Sequence, residues 1–172
     1  MVAASFTGEY PQRIDGKGRM SIPADFRRVL EAGHPHREAG ELPSLYLLYG
    51  AHLRDHLEAF TVQAFAEVAE RITAIRPRTP EEAEKKALST RLILGQSVRL
   101  ELDRDGRVVM PAARRAQLGL TEGEVVFSGA GDHFEIWNAS TYEEAVGARM
   151  RAFLDVQGDS FDPMTLVWSL GA

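Results

Sequence analysis

The chain of 172 residues contains no cysteine. Disulfides and thiolate metal sites are excluded, and a reducing compartment is the natural expectation. No stretch nears the roughly 18 consecutive apolar residues that a membrane-spanning helix needs. The opening run Met1-Val-Ala-Ala-Ser-Phe-Thr-Gly-Glu9 has neither a basic region nor a long apolar core, so export by a signal peptide is not expected. An excess of positive charge is lacking too, since 20 Lys and Arg face 25 Asp and Glu for a net charge of −5. That argues against indiscriminate polyanion binding. It leaves room for a local basic patch, because the near field depends on where charges sit. Common catalytic signatures are missing: there is no Gly-x-Ser-x-Gly elbow, no Gly-x-x-x-x-Gly-Lys phosphate loop and no Gly-x-Gly-x-x-Gly fingerprint. No enzymatic activity, cofactor or small-molecule substrate is therefore expected.

What is present is an ordinary globular composition, 44% hydrophobic and 26% charged, and a short unit that occurs twice. Asp15-Gly-Lys-Gly-Arg19 and Asp103-Arg-Asp-Gly-Arg107 are each followed by Pro-Ala. The offset that brings Asp15 onto Asp103 also brings Gly18 onto Gly106, Arg19 onto Arg107, Pro23 onto Pro111, Arg27 onto Arg115 and Leu30 onto Leu118. It further sets Leu48-Tyr49 on Ile136-Trp137 and Ala51 on Ala139. Self-similarity at a fixed spacing is the mark of internal duplication.

Each copy reads alike. An extended stretch (Phe6 to Ile14; Ser97 to Leu102) leads to an Asp/Gly reversal, where Gly tolerates positive φ and Asp can bond the turn backbone. A short strand follows (Arg19 to Ile22; Arg107 to Met110). Pro23 and Pro111 suit the first position of the helices Pro23–Leu30 and Pro111–Leu118, where a missing N–H costs nothing. A further strand pair ends at Leu45–Tyr49 and Phe134–Trp137. Leu53, Leu57, Phe60, Ala64, Val68 and Ile72 recur at helical spacing and predict one long helix. Thr79, Pro80 and Glu82 form a capping box for a helix stopped by Gly95, and Ser140-Thr-Tyr-Glu143 reads as another box. The stretch after Asp155 reads as a mobile tail with an apolar segment, Met164–Leu170, that could dock.

A unit of this size buries little apolar area alone, so two copies are expected to share one core. The expected fold is α+β: a small β-barrel with two internal repeats in pseudo-two-fold arrangement and flanking helices. The expected segments are a first repeat over residues 5–54, connecting helices over 55–96, a second repeat over 97–142, and a C-terminal helix and tail over 143–172.

Several side-chain groups invite a metal reading and fall short of it. His52 and His56 lie four apart on the predicted helix beside Asp55, with no evident third ligand and no HExxH glutamate. His34-Pro-His36 sits in a polar loop. Asp103, Asp105 and Gly106 resemble the start of a calcium loop, but Arg107 occupies the next ligand position and no Glu closes the loop. No metal is expected. The repeated hairpin is left. Its bland reading is an Asp–Arg pair holding the strand register, worth about 0–1 kcal/mol on a surface. Its functional reading rests on charge: residues 1–30 carry Arg13, Lys17, Arg19, Arg27 and Arg28 against Glu9, Asp15 and Asp25. A protruding hairpin with cationic side chains can enter the DNA major groove, which admits a two-stranded ribbon. The second tip keeps Arg104 and Arg107 but has Asp105 where the first has Lys17.

Phe6-Thr-Gly-Glu-Tyr10, Asp15-Gly-Lys-Gly-Arg-Met-Ser-Ile-Pro-Ala24 and Phe26-Arg27 resemble the N-terminal signature of the MraZ family. Leu102-Asp-Arg-Asp-Gly-Arg-Val-Val-Met-Pro-Ala112 with Phe134-Glu-Ile-Trp137 is similar to its second half. The resemblance implies a β-barrel of the AbrB swapped-hairpin type and a ring-shaped homo-oligomer. It implies a transcriptional regulator, expected to be a repressor, of the division and cell-wall gene cluster that includes its own gene. Such a regulator binds double-stranded DNA at short direct promoter repeats, in the cytoplasm and on the nucleoid. The family's motif arginines match Arg19 and Arg107, and Lys17 matches its basic residue at the first tip; the charge placement adds Arg13 and Arg104 as DNA-binding residues, and the turn chemistry makes Asp15, Gly18, Asp103 and Gly106 the structural motif. The alternative is an antitoxin-like AbrB-type module that chiefly binds a protein.

Overall fold

Both Asp-Gly units reverse the chain where local chemistry demands it. The computed structural model describes residues 4–171, so the reading of Met1 to Ala3 as the start of a non-exported terminus lies outside the described residues. Strands β1 (Glu9–Ile14) and β2 (Arg19–Ser21) flank the first reversal. Helix α1 (Ala24–Ala32), β3 (Ser44–Leu48), β4 (His56–Thr61) and α2 (Val62–Ala74) complete the first copy. Helix α3 (Pro80–Ser89) runs on through a π-type turn at Thr90–Leu94 and ends at Gly95. The second copy gives β5 (Ser97–Glu101), β6 (Arg107–Val109), α4 (Ala112–Gln117), β7 (Gly123–Gly129) and β8 (His133–Asn138). The chain forms two compact units, divided between Ala139 and Ser140.

The first unit is α+β. Six strands form an antiparallel sheet in the order β1-β7-β8-β4-β3-β5, and β2 pairs with β6. The first strand of each copy pairs with the third strand of the other: β1 with β7, and β5 with β3. Equivalent residues meet where the copies adjoin, Met20 opposite Val108 and Glu58 opposite Glu135. An approximate two-fold axis therefore passes between β2 and β6 and between β4 and β8. The ends of the large sheet, β1 and β5, do not pair, so among the described residues the expected barrel is not closed.

Two sequence expectations are corrected. The residues from Leu53 to Ile72 do not form one helix, because His56–Thr61 is strand β4 between β3 and β8. Leu57, Ala59 and Thr61 are buried in alternation with half-buried His56, Glu58 and Phe60, which is strand periodicity. The constant offset also fails beyond the first helix. Glu9 lies opposite Ser128 and Ser97 opposite Leu48, so Leu48 corresponds to Ser128 and not to Ile136. The counterpart of β8 is β4, with His56 matching His133. The physical cause is a longer connection between α1 and β3 than between α4 and β7.

The shared core is aromatic at its centre. Phe26 of the first copy packs 4.8 Å from Phe134 of the second, with Phe6 and Phe127 around them, all fully buried. Ile14, Met20, Leu45, Leu47, Leu57 and Met110 close the layer. Burying each such side chain contributes about 1.5–3 kcal/mol.

The second unit is helical, with α5 (Ala139–Tyr142) entering it, a π-type turn at Glu143–Gly147, then α6 (Ala148–Gln157) and α7 (Met164–Ser169). Because α5 starts at Ala139, Ser140 lies inside the helix and is not its cap. The stretch read as a mobile tail contains α7, whose start is held by Asp162 Oδ1 accepting from the Met164 N–H at 2.9 Å.

Candidate nucleic-acid interface

The hairpin tips are built from the aspartates outward. Asp15 Oδ1 accepts from the Lys17 and Arg19 N–H groups, both at 2.9 Å, and Asp15 Oδ2 accepts from Arg19 Nε at 2.6 Å. The second tip repeats the pattern: Asp103 Oδ1 accepts from the Asp105 and Arg107 N–H groups, both at 2.9 Å, and Oδ2 from Arg107 Nε at 2.9 Å. Hydrogen bonds from the Arg19 backbone and then its side chain hold the Asp15 carboxyl below the usual aspartate value. The Arg107 backbone N–H does the same first for Asp103. Both aspartates stay ionised at neutral pH, and each carries its arginine with it.

Each tip rests on the other copy. The Ile22 N–H donates to Gly106 O at 2.9 Å, and the Met110 N–H to Gly18 O at 2.7 Å. Arg27 of α1 reaches Asp105 O with Nη1 at 3.4 Å, and its guanidinium lies against Gly106. Its counterpart Arg115 of α4 lies against Gly18 and donates from Nη1 to Thr121 O at 2.8 Å. These two arginines are framework for the tips. The sequence offset pairs them, but nothing in it shows which hairpin each would hold. Arg28 is tied to Asp25 at 2.5 Å. The tips are close enough that Asp15 helps raise the pKa of Arg107, after the larger effect of Asp103.

The five candidate DNA-binding residues fall into two groups. Arg13, Lys17 and Arg104 are exposed, and among the described residues none of them makes a side-chain hydrogen bond or ion pair. Arg19 and Arg107 are engaged. Arg19 uses Nε alone, leaving its terminal amino groups unengaged among the described residues. Arg107 also gives Nη2 to Asp105 Oδ2 at 3.1 Å. The copies differ further at matched positions: Arg13 and Lys17 of the first hairpin correspond to Glu101 and Asp105 of the second. The first hairpin is cationic and the second is not.

The histidines take unexpected places. His34 is 8% exposed, set between Glu41 and Arg99, and burial holds its pKa below the usual value. His56 stands on β4 and not on a helix with His52, and it faces Glu58, Glu135 and Trp137. Glu58, His133 and Glu135 were not singled out in the sequence. The repeated His-x-Glu of residues 56–58 and 133–135 is the signal that could have found them.

A family model described as "MraZ protein, putative antitoxin-like" matches residues 93–152. The chain is 42% identical over 163 residues to a protein of Ruegeria pomeroyi named transcriptional regulator MraZ, covering 95% of each. It is 37% identical over 164 residues to the protein of that name in Cereibacter sphaeroides, covering 92% of this chain and 94% of the relative. It is 36% identical over 148 residues to the Gluconobacter oxydans protein of that name, covering 86% of this chain and 84% of the relative.

Proposed function

The chain belongs to the MraZ family, and on that premise we propose that it is a DNA-binding regulator of transcription that reads DNA chiefly with its first hairpin. The observation that carries the reading is a stiff hairpin with Arg13 and Lys17 exposed and unpaired, in a chain of net charge −5. Arg19 adds its free terminal amino groups, a planar fork that suits guanine edges or phosphate. Arg104 and Arg107 contribute from the second tip, weakened by Asp105. Asp15, Gly18, Asp103 and Gly106 are the scaffold that holds the tips. The exchange of strands between copies supports an AbrB-like swapped-hairpin origin.

One hairpin with about three cations neutralises few phosphates, so its affinity is low and falls steeply with salt. Several hairpins held at fixed spacing on a ring-shaped homo-oligomer gain about 10²–10⁴ in avidity over one. Such a ring fits an operator of short direct repeats, repression of a division and cell-wall cluster containing its own gene, and residence in the cytoplasm on the nucleoid. Exposed apolar side chains on the second unit, Val156, Val167, Trp168 and Leu170 among them, support self-assembly. The test is a gel-shift on the duplex upstream of the protein's own gene. Lys17→Ala and Arg13→Ala are each expected to weaken binding and to lower the salt slope by about one. Unchanged binding by the folded double variant would overturn the assignment.

A further inference from the structure

The approximate two-fold axis crosses the large sheet between β4 and β8, and the outer face there carries a symmetric set of histidines and glutamates between two aromatic rings. His56 and Glu58 on β4 correspond to His133 and Glu135 on β8. Glu58 stands directly opposite Glu135 in the ladder. Like charges in that position repel, and these carboxylates are only 19% and 27% exposed, so water screens them poorly. A cation between them relieves the repulsion.

The imidazoles point into the same space. His56 Nε2 lies 3.5 Å from Glu58 Oε1 and 4.0 Å from Glu135 Oε1, and His133 Nε2 lies 3.9 Å from Glu58 Oε1. His56, Glu58 and Glu135 offer one ligand atom each, all within 4.8 Å of one another. Donors at about 2.0–2.2 Å from a tetrahedral zinc ion lie about 3.3 Å apart, so side-chain movements on the order of 1 Å bring these three into a shell.

The surrounding contacts orient the donor atoms. His133 Nδ1 meets Asp132 Oδ1 at 2.7 Å, which puts the ring proton on Nδ1 and the lone pair on Nε2. Trp137 Nε1 donates to Glu135 Oε2 at 2.7 Å, leaving Oε1 facing the histidine. The His56 ring stacks on Trp137 with centroids 4.4 Å apart, and the His133 ring on Phe60 at 5.1 Å. A carboxylate on the second nitrogen of an imidazole is the outer contact that orients metal-bound histidines.

We propose that His56, Glu58 and Glu135, with His133 as fourth ligand, bind one divalent transition-metal ion of the zinc class and so clip the two copies together at the axis. Imidazole with carboxylate suits zinc, whereas calcium and magnesium take oxygen donors alone. The experiment uses the full chain stripped with a chelator. Zinc ion is titrated by calorimetry, and cobalt(II) reports geometry by its visible absorption. The expected result is saturable binding of one ion per chain, a four-coordinate cobalt spectrum, and loss of affinity by about tenfold or more in His56→Gln and Glu135→Gln, with His36→Gln, at an exposed loop residue, unchanged. Imidazole nitrogen NMR shifts of His56 and His133 in the unsubstituted chain read the same contact without a variant that could misfold. Absence of saturable zinc binding, unmoved shifts at excess zinc, or equal affinity in a folded His56→Gln/Glu58→Gln chain would overturn the site.

Discussion

Gly18 and Gly106 hold the same place in their hairpins, with φ of 86° and 74°, but different walls face them. A methyl group on Gly18 would stand 2.6 Å from the backbone oxygen of Met110, just past β6, where no flexible side chain can swing aside. On Gly106 it would meet the guanidinium of Arg27, the far end of a flexible side chain. The left-handed conformation alone costs an L-residue about 1–2 kcal/mol. Gly106→Ala is thus expected to destabilise by about that amount, and Gly18→Ala by about 1–3 kcal/mol more, the scale of forced backbone shifts. Thermal unfolding of the two variants checks the order, and the reverse order would make Arg27 the rigid wall. The same residue-level contrast separates the arginines. Their spacing in the sequence is equal, yet Arg19 keeps its terminal amino groups and Arg107 shares one with Asp105.

Among elements, β4 and α2 show where a pattern misleads. The apolar positions from Leu53 to Ile72 fit a helical period, and Leu57, Ala59 and Thr61 also fit a strand. A short apolar run is compatible with both. Pairing with β3 and β8 on either side settles it, and the helix starts only at Val62, where Thr61 Oγ1 accepts from the Ala64 N–H at 3.0 Å. Thr79 caps α3 in the same way, accepting from the Glu82 N–H at 3.1 Å, while Glu82 Oε2 accepts from the Arg78 N–H at 2.7 Å. Removing either cap costs about 1 kcal/mol locally. Thr61 is buried, so Thr61→Ala is expected to lower the melting temperature. Helix α3 buries no residue, so Thr79→Ala is expected to fray the helix with little change in the global melt. Hydrogen exchange at the Ala64 and Glu82 amides, beside a thermal melt, separates the two outcomes. The cap at Thr79 was legible because an N-cap, a proline and a glutamate lie within four residues; the cap at Thr61 was hidden inside a supposed helix.

At the scale of the molecule, no copy completes its own sheet. Strand β1 has its ladder partner on β7, and β5 has its partner on β3. The aromatic centre is likewise divided, with Phe6 and Phe26 from one copy and Phe127 and Phe134 from the other. A chain ended after Gln96 and a chain begun at Ser97 each lose a ladder partner from all four of their strands and leave half a core exposed. Neither is expected to melt cooperatively alone, and mixing them is expected to restore the far-UV circular dichroism and the cooperative melt. Cooperative melting of one fragment by itself would show that the exchange of strands is dispensable. The same architecture limits what an alignment of the sequence on itself could find: one offset matched the hairpins, but unequal connections moved the third and fourth strands out of step.

The sequence alone determined the features whose physics is local. The Asp-Gly reversals, the Pro-led helices, the cap at Thr79 and the charge contrast between the two tips depend on hydrogen bonds and residue types a few positions apart. The tertiary structure alone decided what depends on distant partners. It made His56–Thr61 a strand, set Arg27 and Arg115 against the opposite hairpins, and left Arg13, Lys17 and Arg104 without side-chain partners among the described residues. It also brought His56 and Glu58 beside His133 and Glu135. Strand pairing and burial draw on residues from the other copy, and no window of neighbouring residues contains them.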